Sequence, residues 1–217
     1  MSTEQEAAIG ADVAADLQSL FTDAKAVHIL DENTLSFSAD IETASANELI
    51  EAAYEMDKSL GCELEPIRLL LSTNGGDVNE AMRIINVLKY GLKRPVYIYA
   101  TGYVYSAGVS ILASLEHRYA FPYTFFMIHN IRLNLNESVS LQSLKASQNA
   151  LFILEQRMNK MLFDIGAFTE EELADKTMKG DYMFSVSEAL QRGLIKKVIS
   201  SEDFDKKTPC FEEVDNG

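Results

Sequence analysis

The stretch GYVYSAG, residues 102–108, sets a hydroxyl between small residues, after one apolar run (96–100) and just before another (109–115). A serine buried at such a hinge is costly unless it is hydrogen-bonded. One exposed on a sharp turn is placed to act as a nucleophile. Gly102 and Gly108 flank Ser106, and Ala107 comes directly after it, so the backbone can turn tightly and a substrate can approach it closely. Ala107 opens the next helical run, and the N–H at a helix start has no partner within the helix. Such an amide can receive an oxyanion. A second donor is available in Asn74-Gly75-Gly76, another strand-to-helix junction, although the same triplet also reads as an ordinary tight turn. The strained G-x-S-x-G elbow of the α/β-hydrolases is absent.

A serine nucleophile needs a base, usually histidine, and that histidine needs an orienting acceptor. The chain has three histidines. His28 alternates with Val27 and Ile29 in a short strand, and His117 falls in a polar break where exposure is expected. His129 ends the apolar strand TFFMIH, the end at which strands of α/β sheets carry functional groups. It is the best placed of the three.

These residues need elements to position them. Residues 4–22 have helical spacing, and VHIL and LSFSA read as short strands around a turn at 31–33. Ser45 with Glu48 has the form of a capping box opening a helix to about Leu60. IRLLLS is the near-continuous apolar run of a strand buried on both faces. Asp77 is the expected N-cap of the helix after TNGG, VYIYAT is the next strand, and the serine turn, a helix, RYAF and TFFMIH come after it. This alternation predicts an α/β domain with a parallel sheet and right-handed crossovers. Residues 141–165 read as one long helix with Leu144, Leu151, Met158 and Ile165 seven apart, suited to packing on its own domain or to forming a seam between subunits. Thr169 with Glu172 and Ser185 with Glu188 are two more capping boxes, and LIKKVIS a closing strand.

The chain's 217 residues, 47% hydrophobic and 24% charged, suit one sizeable core. A net charge of −14 argues against nucleic acid and against an anionic membrane surface as partners. Cys62 and Cys210 lie far apart, outside any CxxC or Cys/His cluster, so a structural zinc site is not expected; no metal or other cofactor is expected elsewhere. The acidic start lacks the marks of a signal peptide, and no apolar run approaches a membrane span of roughly 20 residues. A soluble, cytoplasmic protein is expected. The division expected is an acidic helical segment over 1–24, a body over 25–200, and a loose polar tail over 201–217.

Three blocks, LLLSTNGGDVNEAMRIINVLK, VYIYATGYVYSAGVSILAS and RYAFPYTFFMIHN, closely resemble the ClpP serine peptidases in order and spacing. The resemblance runs from about Thr34 to Ile199. It implies the ClpP/crotonase-like fold of repeated strand–helix units, with a protruding handle helix over about 130–166. It makes Ser106 the nucleophile, His129 the base and, through GDYMFSVSEALQRGLI, Asp181 the orienting carboxylate, leaving Asp164 and Asp175 as helix-surface charges. It makes the backbone amides of Gly76 and Ala107 the oxyanion hole. It also implies polypeptide substrates, a homo-oligomeric chamber (a heptameric ring, singly or as a stacked pair) and an ATP-driven unfoldase of the AAA+ class as partner.

The chain departs from the family pattern in four places. Asn74 stands where the family has proline, and Gly180 where it usually has arginine, with Lys179 one residue away. The segment after His129, NIRLNLNESVS, has no glycine, and the N-terminal stretch that meets the unfoldase is not recognisable. Catalysis is therefore better supported than assembly. Crotonase-like acyl-CoA enzymes share the oxyanion architecture but use carboxylates, and Ser106, His129 and Asp181 together argue against that reading. Two others stay open: a catalytically silent ring subunit, which typically lacks a triad member, and a dedicated processing protease acting without an unfoldase.

Overall fold

In a computed structural model of the chain, residues 25–59, 65–131, 141–200 and 203–204 are described. The helix expected over 4–22 lies outside them, as does the segment 132–140 and most of the tail.

Among the described residues eight strands form one sheet: β1 (Val27–Asp31), β2 (Thr34–Ser38), β3 (Ile67–Thr73), β4 (Val96–Tyr105), β5 (His117–Ala120), β6 (Phe125–Ile128), β7 (Tyr182–Ser185) and β8 (Lys197–Val198). The order is β1-β2-β3-β4-β5-β8, with β6 pairing β4 and β7 off that path. The expected parallel pairing holds for β2–β3, β3–β4, β4–β5, β4–β6 and β5–β8. Two pairs, β1–β2 and β6–β7, are antiparallel.

Among the described residues six helices accompany the sheet: α1 (Thr43–Ser59), α2 (Val78–Asn86, continued by a π-helical turn over Val87–Gly91), α3 (Ala107–Ser114), α4 (Leu141–Asp164), α5 (Glu170–Met178) and α6 (Val186–Gln191). All eight residues of α3 are buried, so this helix is the centre of the core. Phe37, Leu71, Ile98, Phe126 and Ile111 are wholly buried in the same cluster. The opposite face of β4 and β5 carries an aromatic layer, Tyr97, Tyr99, Tyr119 and Phe121, with Phe204 packed on it.

Asp77 caps α2 as expected, its Oδ1 accepting from Asn79 N at 2.7 Å and Glu80 N at 3.2 Å. Thr169 caps α5 and Ser185 caps α6. The first capping box does not form. Helix α1 begins at Thr43, two residues before Ser45. Ser45 Oγ accepts from Glu42 N and donates back to Asp40 O, while Glu48 Oε2 accepts from Ala26 N at 3.0 Å. The glutamate is used to hold the start of β1. His117, expected to be exposed, is half-buried, its ring stacked on Tyr97 with centroids 4.0 Å apart, and burial pushes its pKa down. The closing strand is only the two residues of β8. Within the tail, Asp203 and Phe204 are held: Lys197 Nζ donates to Asp203 Oδ1 at 2.7 Å and Arg68 to Phe204 O at 3.0 Å.

Strand β4 outruns the expected VYIYAT by four residues. Its pairing with β3 goes from Leu71↔Ala100 to Thr73↔Val104, so two extra residues bulge out of β4 around Gly102, whose φ is 66°. A bulge bends a strand and re-aims the residues beyond it. Before it β4 pairs with β5; beyond it, Tyr103–Tyr105 pair with β6. GYVY is therefore the bent end of a strand, and the turn is Ser106 alone.

Candidate active site

Two parallel strand ends meet at Ser106. The parallel register sets Tyr105 beside Met127, and Ser106 N donates to Met127 O at 2.7 Å. His129 comes directly after β6, so Ser106 and His129 stand at the carboxyl ends of adjacent parallel strands. The antiparallel β6–β7 register ends at Ile128↔Tyr182, and His129 and Asp181 are the next residues beyond it on the two segments.

Ser106 has φ 53° and ψ −123°, and among the described residues it alone has a positive φ without being glycine. Such a conformation costs on the order of 1–3 kcal/mol and persists only where its surroundings enforce it. The sequence has no elbow motif, yet the turn is strained in the same sense. The enforcing neighbour is Gly75, φ 93°: a Cβ there would lie 2.7 Å from Ser106 Cβ, 2.9 Å from Tyr105 O and 3.1 Å from Ala107 N. Only a glycine lets the two strand-to-helix junctions come this close. Gly108 allows the matching approach one turn along, where a Cβ would strike the Thr73 side chain.

The hydrogen bonds of the two junctions leave two amides over. Gly75 N donates to Thr73 Oγ1, Asp77 N to Ile41 O, and Ser106 N to Met127 O. Among the described residues, Gly76 N and Ala107 N have no acceptor. Gly76 is fixed from behind, since a Cβ there would strike the Ile41 carbonyl.

Ser106, Ala107 and His129 line one cavity of about 30 Å³, with Val78, Glu155 and Met158 among its other walls. That is room for about one water. Ser106 and His129 are half-buried. His129 Nδ1 lies 2.7 Å from Asn130 O. A carbonyl only accepts, so this contact requires the proton on Nδ1 and leaves Nε2 as the basic nitrogen. Asp181 is exposed, has its own interactions, and is not among the residues that line the cavity. Asn130 and Glu155 had no sequence signal: one acts through its backbone carbonyl, and the other lies mid-helix outside any motif.

Strand β7, which Asp181 immediately precedes, is braced from behind. Arg192 donates to Glu172 Oε1 at 2.8 Å and to Glu188 at 2.9 Å, and its Nη2 lies 3.3 Å from Tyr182 Oη. The Tyr182 hydroxyl also donates to Glu188. Burial alone would raise the Glu188 carboxyl, but the Tyr182 and Arg192 hydrogen bonds outweigh it and hold its pKa below the ordinary value.

Helix α4 closes the site on one side. Met158 and Leu162 are buried against the body, while Phe152 and Ile153, nearer its start, are 60% and 52% exposed. Of the two uses predicted for the long helix, packing on its own domain is the one these residues show. Among the described residues no His/Cys/Asp/Glu cluster has the form of a metal site, and no helix is long and apolar enough to cross a membrane.

The chain has relatives among known proteins. The Clp protease family model matches residues 20–202. An ATP-dependent Clp protease proteolytic subunit from Paracoccus denitrificans is 31% identical over 141 residues, 64% of this chain and 69% of the relative. A proteolytic subunit 3 from a Synechococcus strain is 26% identical over 171 residues, 78% of this chain and 83% of the relative. A solved ClpP1 mutant from Listeria monocytogenes superposes with a TM-score of 0.69 at 22% identity, covering 80% of this chain and 94% of its own. The chain belongs to the Clp protease family, and its fold is ClpP-like.

Proposed function

We propose that the chain is a serine endopeptidase subunit in which Ser106, His129 and Asp181 hydrolyse peptide bonds. The single observation that carries this reading is the strained Ser106 turn sharing one small cavity with His129. In the first step Ser106 Oγ attacks the peptide carbonyl and His129 Nε2 takes its proton. Gly76 N–H and Ala107 N–H receive the oxyanion, worth about 3 kcal/mol each by the measured cost of removing such a donor. Collapse of the tetrahedral intermediate breaks the C–N bond, and the imidazolium returns the proton to the leaving amine. Water, deprotonated by the same nitrogen, then releases the acyl group. Asp181 would stabilise the imidazolium through its charge.

The relatives named above are subunits of ATP-dependent proteases. By that likeness the proposed setting is a cytoplasmic homo-oligomeric ring fed by an ATP-driven unfoldase. Tyr103, Phe125 and Met183 support assembly: they are 38%, 53% and 57% exposed on one sheet face, a contiguous apolar surface of the kind that marks an interface. A second reading, a ring subunit that does not cleave, is favoured by His129 Nδ1 meeting the Asn130 carbonyl and not Asp181.

Cleavage of a quenched fluorogenic peptide by the purified chain, beside Ser106→Ala and His129→Ala, tests the reading. Both substitutions should lower cleavage by about 10³-fold or more. Equal cleavage by all three would refute it.

A further inference from the structure

One peptide group ties the handle helix to the histidine. Its carbonyl is Asn130 O, 2.7 Å from His129 Nδ1; its N–H is Ile131 N, which donates to Glu155 Oε1 at 3.3 Å. Carbonyl and amide of one peptide unit point in opposite directions and rotate as a plate. Fixing the N–H therefore fixes the carbonyl. Glu155 is half-buried on α4, and it lines the cavity that holds Ser106 and His129.

We propose that Glu155 is a positioning residue: by holding the Ile131 amide it aims the Asn130 carbonyl at His129 Nδ1 and so selects the tautomer whose Nε2 can accept the serine proton. The proposal rests on the reading of Ser106 and His129 as nucleophile and base. It differs from a general stabilising role in what it controls, which is the side of the imidazole that carries hydrogen. Without Glu155 the peptide plate is free to turn, Nδ1 loses its acceptor, and the imidazole is no longer held to the productive tautomer.

The test uses the full chain with ¹⁵N-labelled histidine, read by solid-state NMR, with His129 assigned by the signals lost in His129→Gln. Wild type should show a protonated Nδ1 and a bare Nε2 at neutral pH. Glu155→Gln keeps an oxygen acceptor and should retain that pattern. Glu155→Ala should lose it, and so should Ile131→Pro, which removes the donor from the other side of the bond. In parallel, fluorophosphonate labelling of Ser106 should slow by about tenfold or more in Glu155→Ala, part of the ~10²–10⁴ a positioned base contributes, and recover in Glu155→Gln. Retention of the Nδ1–H form in Glu155→Ala, or its absence in wild type, would overturn the proposal. The NMR pattern does not depend on turnover, so the expected tautomer in a chain whose serine never labels would count against the peptidase reading while leaving the positioning role standing.

Discussion

At the scale of residues, the site depends on a close approach that only glycine permits. Gly75→Ala adds a Cβ at 2.7 Å from Ser106 Cβ and puts an alanine at φ 93°. We expect the serine turn to be pushed out of line with His129 and the Gly76 amide. Labelling of Ser106 should fall about 10²-fold, the scale of losing one oxyanion donor, with a stability loss of about 2 kcal/mol from the strained φ. Labelling rates and thermal unfolding of the variant check this, and an unchanged rate would show that the two junctions are not coupled. Much at this scale is legible in the sequence. Ser106, His129 and the glycines stand out because their side chains, or lack of them, are written there. The carbonyl of Asn130 does not, because every residue has one and only folding decides where it points. Ser45 with Glu48 misleads for the opposite reason: the motif is present, but Ala26 N competes for the glutamate.

Among elements, the bulge in β4 and the brace behind β7 bring the parts of the site together. From sequence the bulge reads as the serine turn itself, since Gly102 signals a break without saying whether the strand continues past it. Strand β6 reaches Ser106 only because β4 changes partner there. The brace predicts a pH effect. The Glu188 pKa is held below its ordinary value of about 4.3 in the folded protein. Its carboxylate thus contributes stability that is complete above that ordinary value and is lost as pH falls through the lowered folded one. Arg192→Met should destabilise the chain by about 2 kcal/mol at pH 7, the scale of losing charge-assisted hydrogen bonds. It should also flatten the acid limb of the stability curve below about pH 4.3. Urea unfolding at several pH values measures both, and an unaltered acid limb would place the lost carboxylate stabilisation elsewhere.

For the whole molecule, the parallel sheet and its crossovers are predictable from the strand–helix alternation, and the antiparallel β1–β2 and β6–β7 pairs are not. Short strands such as β7 carry too few residues for their direction to be read from pattern alone. The exposed apolar face of Tyr103, Phe125 and Met183 is a whole-molecule feature too, because it joins three strands, one of them distant in sequence from the others. We expect light scattering to give a mass several times the chain's 24.2 kDa, about sevenfold for a single ring of the expected size. Phe125→Asp should lower that mass by placing a charge on the face. A wild-type chain that stays at 24.2 kDa at high concentration would contradict the assembly.

The central claim, an activated serine at residue 106, is met most directly by intact mass spectrometry after incubation with a fluorophosphonate. A single adduct is expected on the wild-type chain and none on Ser106→Ala or His129→Ala. No adduct on the wild type would contradict the claim.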